Sequence, residues 1–549
     1  MTKLNGWKMG CALLAFCAAT AMLSLAQDTL TTLVSFGGLN GSDPYMVLTQ
    51  GADGNFYGTT QDGGANCLFD CGTVFKMTPS GTLTTLYSFC SQTNCADGDV
   101  PIGALVQAAN GDFFGTTSGG GTHGWGTVFK ITPTGTLTTI YNFCTRQNCT
   151  DGKVPDSGLV QGRNGNFYGT TDEGGFGGGT VFEISPAGKL TTLHSFDGTD
   201  GYEPFGALVL ATNGNFYGET SIGGTTGDGT IFEITPGGYL TTLFSFDGAN
   251  GSAPLGGLIQ AANGAFYGVT TNFPGTVFTI TSGGKLTTLY NFCSLPGCTD
   301  GSQPYGPLAQ GTDGNFYGTT SDFETGNGTI FEITPGGSLT TLYTFCSLPG
   351  CTDGAAPTVG MLQATNGMFY GTTSTGGSFL DGTIFSLSTG LGQFVKTQPL
   401  SADEGATIGI FGQGFTRSSV VQFDGVQATS VKLYGADLLE AKVPPGALTG
   451  SVTVTTNGTT LTSNEMFRVS PQVLSFSPPS GPVGTQVTIN GTGFTQASGV
   501  GFGDNVPAQF TVNSDTEITA TVPSGAKTGP IGVVTKGGTA ISSGTFTVN

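Results

Sequence analysis

The chain has 549 residues, a net charge of −20, only 9% charged residues, 95 glycines and 40 phenylalanines. That length exceeds one hydrophobic core, and 37% apolar content excludes a disordered chain. The acidic balance excludes nucleic acid and an anionic membrane surface as partners.

The N-terminus reads as a secretory signal peptide over residues 1–26. Lys3 and Lys8 precede an apolar run, Met9 to Leu23, and Ser24-Leu25-Ala26 offers small residues for cleavage before Gln27. The run of about 15 residues is shorter than the roughly 20 that span a bilayer. Phe16 is too large for the position before a lipidated Cys17, and Gly544–Asn549 carries no apolar tail. The expected product is secreted or held at the cell surface, with no membrane span after signal removal.

Residues 27–392 repeat one unit seven times. An N-G-x-F-Y-G phrase places Tyr57, Phe114, Tyr168, Tyr217, Tyr267, Tyr317 and Tyr370 in register. G-T-[VI]-F and L-T-T-[LI] phrases follow in each unit. In the second unit the strand-sized pieces are Ala104 to Ala108, Phe113 to Thr117, Thr127 to Thr132 and Leu137 to Phe143. Asn110-Gly111 predicts a two-residue hairpin turn, and Pro133-Thr134-Gly135 a second turn. Four antiparallel strands per unit of about 50 residues predict a seven-bladed β-propeller. Leu30 to Phe36 is a fourth-strand phrase standing before the first full set, so the N-terminal strand is expected to complete the last blade. The Gly after each Tyr is expected to admit neighbouring backbone.

With the strands lettered a to d, the a–b and c–d turns share one face and are uniform. The b–c and d–a loops share the other and vary. Function is expected on the variable face. Ten cysteines form five close pairs: Cys67 with Cys71, Cys90 with Cys95, Cys144 with Cys149, Cys293 with Cys298, and Cys346 with Cys351. In an exported chain these read as short disulfide loops. Zinc is the rival, but only His123 and His194 could assist it.

The d–a loops repeat [DN]-G-x-x-P, beginning at Asn40, Asp97, Asp151, Asp200, Asn250, Asp300 and Asp353. An Asx side chain capping a turn accounts for sevenfold repetition. The sharper reading is a carboxylate site for Ca²⁺, with Asp197, Asp200 and Glu203 the richest group. No other cofactor is expected. Candidate ligand-binding residues that break the repeat are Trp125 and His123, the pair Asp172 and Glu173, and Asp322 with Glu324. An indole stacks on sugar rings, and paired carboxylates hydrolyse glycosides. No catalytic residue is assigned.

After Leu391 the repeats stop. Residues 393–469 and 470–549 are two units of short alternating strands, which predict small immunoglobulin-like β-sandwiches. The fold class is therefore all-β, a seven-bladed propeller of four-stranded blades followed by two sandwiches.

The NGNFYGTT, GTVF and LTTL phrases over roughly residues 30–390 resemble the Gloeobacter/Verrucomicrobia (GloVer) tandem repeat of exported bacterial "choice-of-anchor" proteins. Ser477 to Phe494, SPPSGPVGTQVTINGTGF, resembles an IPT/TIG domain, and Gly405 to Phe415 is a looser copy. The resemblance implies an adhesive or spacer role for the C-terminal pair and supplies no catalytic residue. The leading expectation is a secreted or cell-surface binding or scaffold protein, more readily a non-enzyme, recognising a glycan or protein by its variable face. The alternatives are an extracellular polysaccharide hydrolase or lyase with a carboxylate site there, and a structural envelope component.

Overall fold

The computed structural model describes residues 29–67, 69–321 and 327–549. The predicted signal peptide, Asp322 and Glu324 lie outside the described residues. Seven four-stranded sheets follow one another in the chain. In blade 2, strand a is Val106–Gln107, b is Phe113–Thr117, c is Thr127–Ile131 and d is Leu137–Asn142. Strand a is shorter than the apolar run predicts. Pro101 and Gly103 shape its approach, and only Val106 and Gln107 pair with strand b before the turn begins.

The a–b turn also differs from expectation. Gly111 alone has positive φ (89°), and its N–H bonds the Ala108 carbonyl. A two-residue I′ turn needs positive φ at both centres, so this is the longer turn with glycine at the bulge position. Asn110 instead accepts from the Asp112 N–H, the local bond that short Asx side chains favour. The Pro133-Thr134-Gly135 turn closes as predicted, with Gly135 at φ 94°.

Both faces of each sheet are buried between blades, so strand b is buried throughout and strand c at all but its fourth position, where Lys, Glu or Thr stands in blades 1 to 6. Two aromatic belts run round the ring. In the first, the Tyr of one strand b meets the first Phe of the next: Tyr57–Phe113 at 4.1 Å, Tyr168–Phe216 at 4.1 Å, and Tyr370–Phe56 at 4.1 Å closing the circle. In the second, the Phe after each strand d meets the next strand c edge to face, as in Phe89–Phe129 at 5.3 Å. Each such buried ring contributes about 1.5–3 kcal/mol. The Gly after each Tyr makes room for a side chain rather than for neighbouring backbone. A Cβ on Gly58 would stand 2.6 Å from the Phe75 ring of the same blade.

Thr29–Ser35 pairs antiparallel with Thr383–Ser388, from Thr29↔Ser388 to Ser35↔Thr383. The N-terminal strand therefore is the fourth strand of blade 7, and Phe36 packs on Phe75 of blade 1 at 5.5 Å. Beyond the ring, two sandwiches have their own cores. One gathers Ile408, Ile410, Val421, Phe423, Leu439 and Phe467, the other Val487, Ile489, Phe502, Ile518, Ile531 and Phe546.

Candidate functional site

The d–a loops are built first by their repeated aspartate. Asp97 is wholly buried and accepts from the Tyr87 hydroxyl (2.8 Å), the Ser91 N–H (3.0 Å) and hydroxyl (2.8 Å), and the Gln92 N–H (3.2 Å). Asp151, Asp300 and Asp353 repeat the arrangement. Burial alone would raise those three carboxyls, yet the donors hold them below the ordinary range. Their oxygens are spent inside the loop. In blade 3, His194 replaces the tyrosine and its Nε2 lies 2.6 Å from Asp200.

The ten cysteines are joined as disulfides. Cys67 bonds Cys71 in the b–c loop of blade 1. In the d–a loops Cys90 bonds Cys95, Cys144 bonds Cys149, Cys293 bonds Cys298, and Cys346 bonds Cys351. The sulfurs are thereby joined in pairs, and the bridges hold the loops. The d–a four depart from the plain loops that the sequence predicts. Their second cysteines end one-turn 3₁₀ segments, Thr93–Cys95, Gln147–Cys149, Pro296–Cys298 and Pro349–Cys351. Cys95, Cys149, Cys298 and Cys351 also have left-handed backbone, at φ 49–51°. Closing a bridge across only five residues requires a tight turn, and backbone bonds complete it. The N–H groups of Cys149, Cys298 and Cys351 each bond a carbonyl three residues back, those of Arg146, Leu295 and Leu348, at 3.0 Å.

Of the acids proposed for calcium, Asp197 and Asp200 lie together, the Asp197 N–H bonding Asp200 Oδ1 at 3.2 Å, and each of the three has a partner within the fold. Asp200 serves His194, Asp197 accepts from the Thr199 N–H (2.9 Å) and hydroxyl (2.6 Å), and Glu203 faces the Ser221 hydroxyl at 3.3 Å.

The residue before each loop proline has left-handed backbone: Asp43, Val100, Val154, Glu203, Ala253, Gln303 and Ala356 all lie at φ 50–57°. Its N–H bonds the preceding blade's b–c loop (Val154 to the Trp125 carbonyl, 3.1 Å), and its carbonyl accepts from its own (Asp172 N–H, 2.8 Å). Seven such joints tie the variable loops into one rigid rim and set the residue after proline at the mouth of the central channel.

Three of those residues meet across the mouth. The Tyr45 and Tyr305 rings are edge to face with centroids 6.1 Å apart, and Asp156 acts electrostatically on Tyr45. They belong to blades 1, 6 and 3, which are not adjacent, so their encounter spans the axis. Burial, then the charges of Asp172 and Glu173, push the Asp156 carboxyl up to about 7. Burial, then Glu203 and Glu173, push Asp172 up to about 6. Asp156 Oδ1 is buried without a hydrogen-bond partner. Asp172 occupies a position that holds Gln61, Ser118, Ser221, Thr271, Ser321 and Ser374 in the other blades. The acids thus break the repeat at blade 3.

Trp125 and Glu173 are joined by a residue the sequence reading passed over. Lys153 lies 4.2 Å from the indole centroid and 2.5 Å from the Glu173 carboxylate. His123 is exposed and bonds only its neighbour, Nδ1 to the Thr122 hydroxyl at 3.0 Å. Sequence reasoning also missed the exposed aromatics of the b–c loops: Phe69, Phe176, Phe273 and Phe379 are 55–82% exposed, and Trp125 is 40% exposed. Their signal was an aromatic among Gly, Ser and Thr, off any strand alternation. Asp156 escaped notice because it follows a proline that reads as scaffold.

The opposite face meets the first sandwich. Phe394 N–H bonds the Thr365 carbonyl (3.0 Å), Lys396 Nζ the Gln363 carbonyl (2.9 Å), and Gln398 Nε2 the Gln107 carbonyl (2.5 Å). A cleft of 860 Å³ between the two is lined by Gln260, Gln310 and Gln363 from the propeller and Lys396 and Arg468 from the sandwich.

Fold and rim together define a repeat-built β-propeller protein with tandem immunoglobulin-like domains. The chain belongs to the Gloeobacter/Verrucomicrobia repeat family, whose model matches residues 21–178, 91–273, 144–322 and 270–425. IPT/TIG domains match at 395–469 and 471–548. No curated protein matches the sequence. Among solved structures, the extracellular domain of a putative hybrid two-component system from B. thetaiotaomicron is 12% identical at TM-score 0.44, covering 93% of this chain. The chain spans 65% of that structure. A fungal alcohol oxidase of the AA5 family in complex with copper is 12% identical at TM-score 0.40, covering 95% of this chain and 99% of its own. SGBP-B from a xyloglucan utilization locus in Bacteroides uniformis is 22% identical at TM-score 0.15, covering 28% of this chain and 48% of its own. None of the three bears on what this chain binds.

Proposed function

We propose that this is an extracellular binding protein that recognises its partner through the variable-loop face of the propeller, without catalysis. The observation that carries the reading is the asymmetry of the faces. Uniform turns and the first IPT/TIG domain occupy one side, while the acids, Trp125 and the exposed phenylalanines crowd the other. Five disulfides agree with an oxidising compartment. The test is steric. A bulky polymer attached at Thr122→Cys is expected to abolish partner binding, and the same polymer at Thr134→Cys, in a c–d turn, to leave it intact. The reverse pattern would overturn the proposal.

A second reading, a polysaccharide hydrolase, is favoured by one observation: Asp156, Asp172 and Glu203 couple electrostatically at the channel mouth. A carboxyl held protonated near pH 7 is suited to general acid catalysis. Reducing-sugar release from a polysaccharide panel, lost in Asp156→Asn, would support it. No release from any member would remove it.

A further inference from the structure

The b–c loops of six blades carry a large exposed apolar side chain, in blade 4 at the loop's start beside Tyr202 and not at its tip. These are Phe69 (76% exposed), Trp125, Phe176 (82%), Ile222, Phe273 and Phe379 with Leu380, from blades 1, 2, 3, 4, 5 and 7. Among the described turns of the uniform face, Tyr239 alone is comparable. What marks these side chains is their recurrence: exposed apolar groups of this size stand in the same loop of six blades. Phe69 and Phe176 are the most exposed of them, whereas Trp125 carries Lys153 over one face of its ring at 4.2 Å and Phe379 lies against Gly37. The tips are nonetheless fixed in place. Asn66 Nδ2 bonds the Ser88 and Phe89 carbonyls, the Thr122 N–H bonds Asn142, and the Ser378 N–H bonds Ser35.

Resting on the reading that the variable face binds, we infer that this crown is a platform for an uncharged polysaccharide. Three features select that occupant. Phe69, Phe176, Phe273 and Phe379 are flat rings suited to stack on the C–H face of a pyranose, and Trp125 offers the indole face that Lys153 leaves uncovered. Hydroxyl and amide side chains, Asn66, Thr122, Thr225, Asn272 and Ser378, stand in the same loops, with Leu39, Leu295 and Leu348 exposed in the d–a loops of that face. The net charge of −20, with Asp62, Asp70 and Asp381 beside the tips, repels polyanions. Repetition round the ring then supplies equivalent subsites for a ligand of repeating units, which is multivalent capture. Carboxylates near the tips would accept from sugar hydroxyls.

The test is affinity electrophoresis of the full chain through gels holding β-glucan, xylan, mannan, dextran, polygalacturonate or chitosan, at low and high salt. At least one neutral polysaccharide is expected to retard the wild type, insensitively to salt. Trp125→Ala, Phe176→Ala and Phe379→Ala are each expected to weaken binding roughly 3–10-fold. The triple variant should abolish it with an unchanged melting temperature, and Tyr239→Ala should change nothing. Retardation surviving in the triple variant would overturn the inference. So would retardation by the charged polymers alone, none by any neutral polymer, or a self-association that the triple variant removes. The polymer-blocking variants separate the two failures. If Thr122→Cys blocking abolishes binding that the triple variant keeps, only the glycan platform falls. If Thr134→Cys blocking alone abolishes it, the variable-face reading falls too.

Discussion

The two faces of the propeller are made by the same seven repeats and have opposite characters. On the uniform face every a–b turn has glycine at the bulge, and the Asx residue before it bonds locally, as Asn110 and Asn164 do. On the variable face the backbone is equally regular, with seven left-handed joints before seven prolines, while the side chains around it diverge. The lesson is that regularity of backbone and regularity of side chain separate. The scaffold is repeated so that the loops need not be.

The harshest way to break the comparison is to open the ring. Removal of Thr29–Ser35 leaves Thr383–Ser388 an unpaired edge and takes Val34 from the core shared by blades 7 and 1. The loss is expected to exceed the about 3–5 kcal/mol of a single large core truncation. A calorimetric melt should lose its cooperativity and the protein should aggregate through the exposed edge. A truncated chain melting like the wild type would show that closure is not what holds the blades.

A smaller break separates scaffold acids from site acids. Asp151→Ala strands the Tyr141 hydroxyl, the Thr145 N–H and hydroxyl, and the Arg146 N–H. It is expected to cost about 2–3 kcal/mol in urea unfolding and to leave binding by the intact fraction unchanged. Because the folded Asp151 carboxyl is held below its ordinary range, its contribution is present above that range and is lost as pH falls through the folded value. Asp156→Asn should do the opposite: little loss of stability and a large change in binding.

That contrast also marks where sequence reading stopped. Blade number, strand order, closure by Leu30 to Phe36 and the disulfide pairs were legible because repetition multiplies weak signals sevenfold. The role of Asp97 and its counterparts was legible for the same reason. The 3₁₀ turns ending at Cys149, Cys298 and Cys351 were not, since three residues are too few to show a period. Asp156 was not, because proximity across the axis joins residues more than 100 positions apart, Tyr45 to Asp156 and Tyr45 to Tyr305, and no local pattern encodes it. The Gly after each Tyr was recognised as a space-maker but assigned the wrong occupant. A one-dimensional pattern does not say whether ring or backbone fills the space.

Glu219 sharpens the comparison inside the scaffold. It stands where five of the other blades have a strand-b Thr, whose hydroxyl in blades 2, 6 and 7 bonds the next blade, as Thr116 does to the Ser157 carbonyl at 2.8 Å. Its Oε2 accepts from the Gly257 N–H at 2.9 Å, while Oε1 is buried without a partner. Burial pushes the carboxyl from 4.5 up to about 8. A raised acid contributes full stability below pH 4.5 and loses it as pH rises toward about 8. Glu219→Gln keeps the volume and removes the titration. It should match the wild type near pH 4, gain progressively, and level above pH 8 with an advantage of about 5 kcal/mol, the rise from 4.5 to about 8 at about 1.4 kcal/mol per pH unit. A constant difference across pH would mean that Glu219 does not titrate through this range.

The smallest stability effect falls where the binding effect should be large. Phe176 touches water over 82% of its surface, and the neighbouring Gly177 backbone leaves open space beside it. Replacing it by Ala removes no core contact, so unfolding should change by less than about 0.5 kcal/mol, the ordinary range for surface positions. Phe167, nine residues earlier, is fully buried against Phe114 with centroids 4.2 Å apart, and its replacement by Ala should cost about 3–5 kcal/mol. The two phenylalanines belong to one blade, Phe167 at the uniform-face end of strand b and Phe176 in the b–c loop of the variable face, and they differ in which surface they serve. If Phe176→Ala were to destabilise comparably with Phe167→Ala, the ring would belong to the scaffold, and the division between a repeated frame and a free binding rim would have to be redrawn.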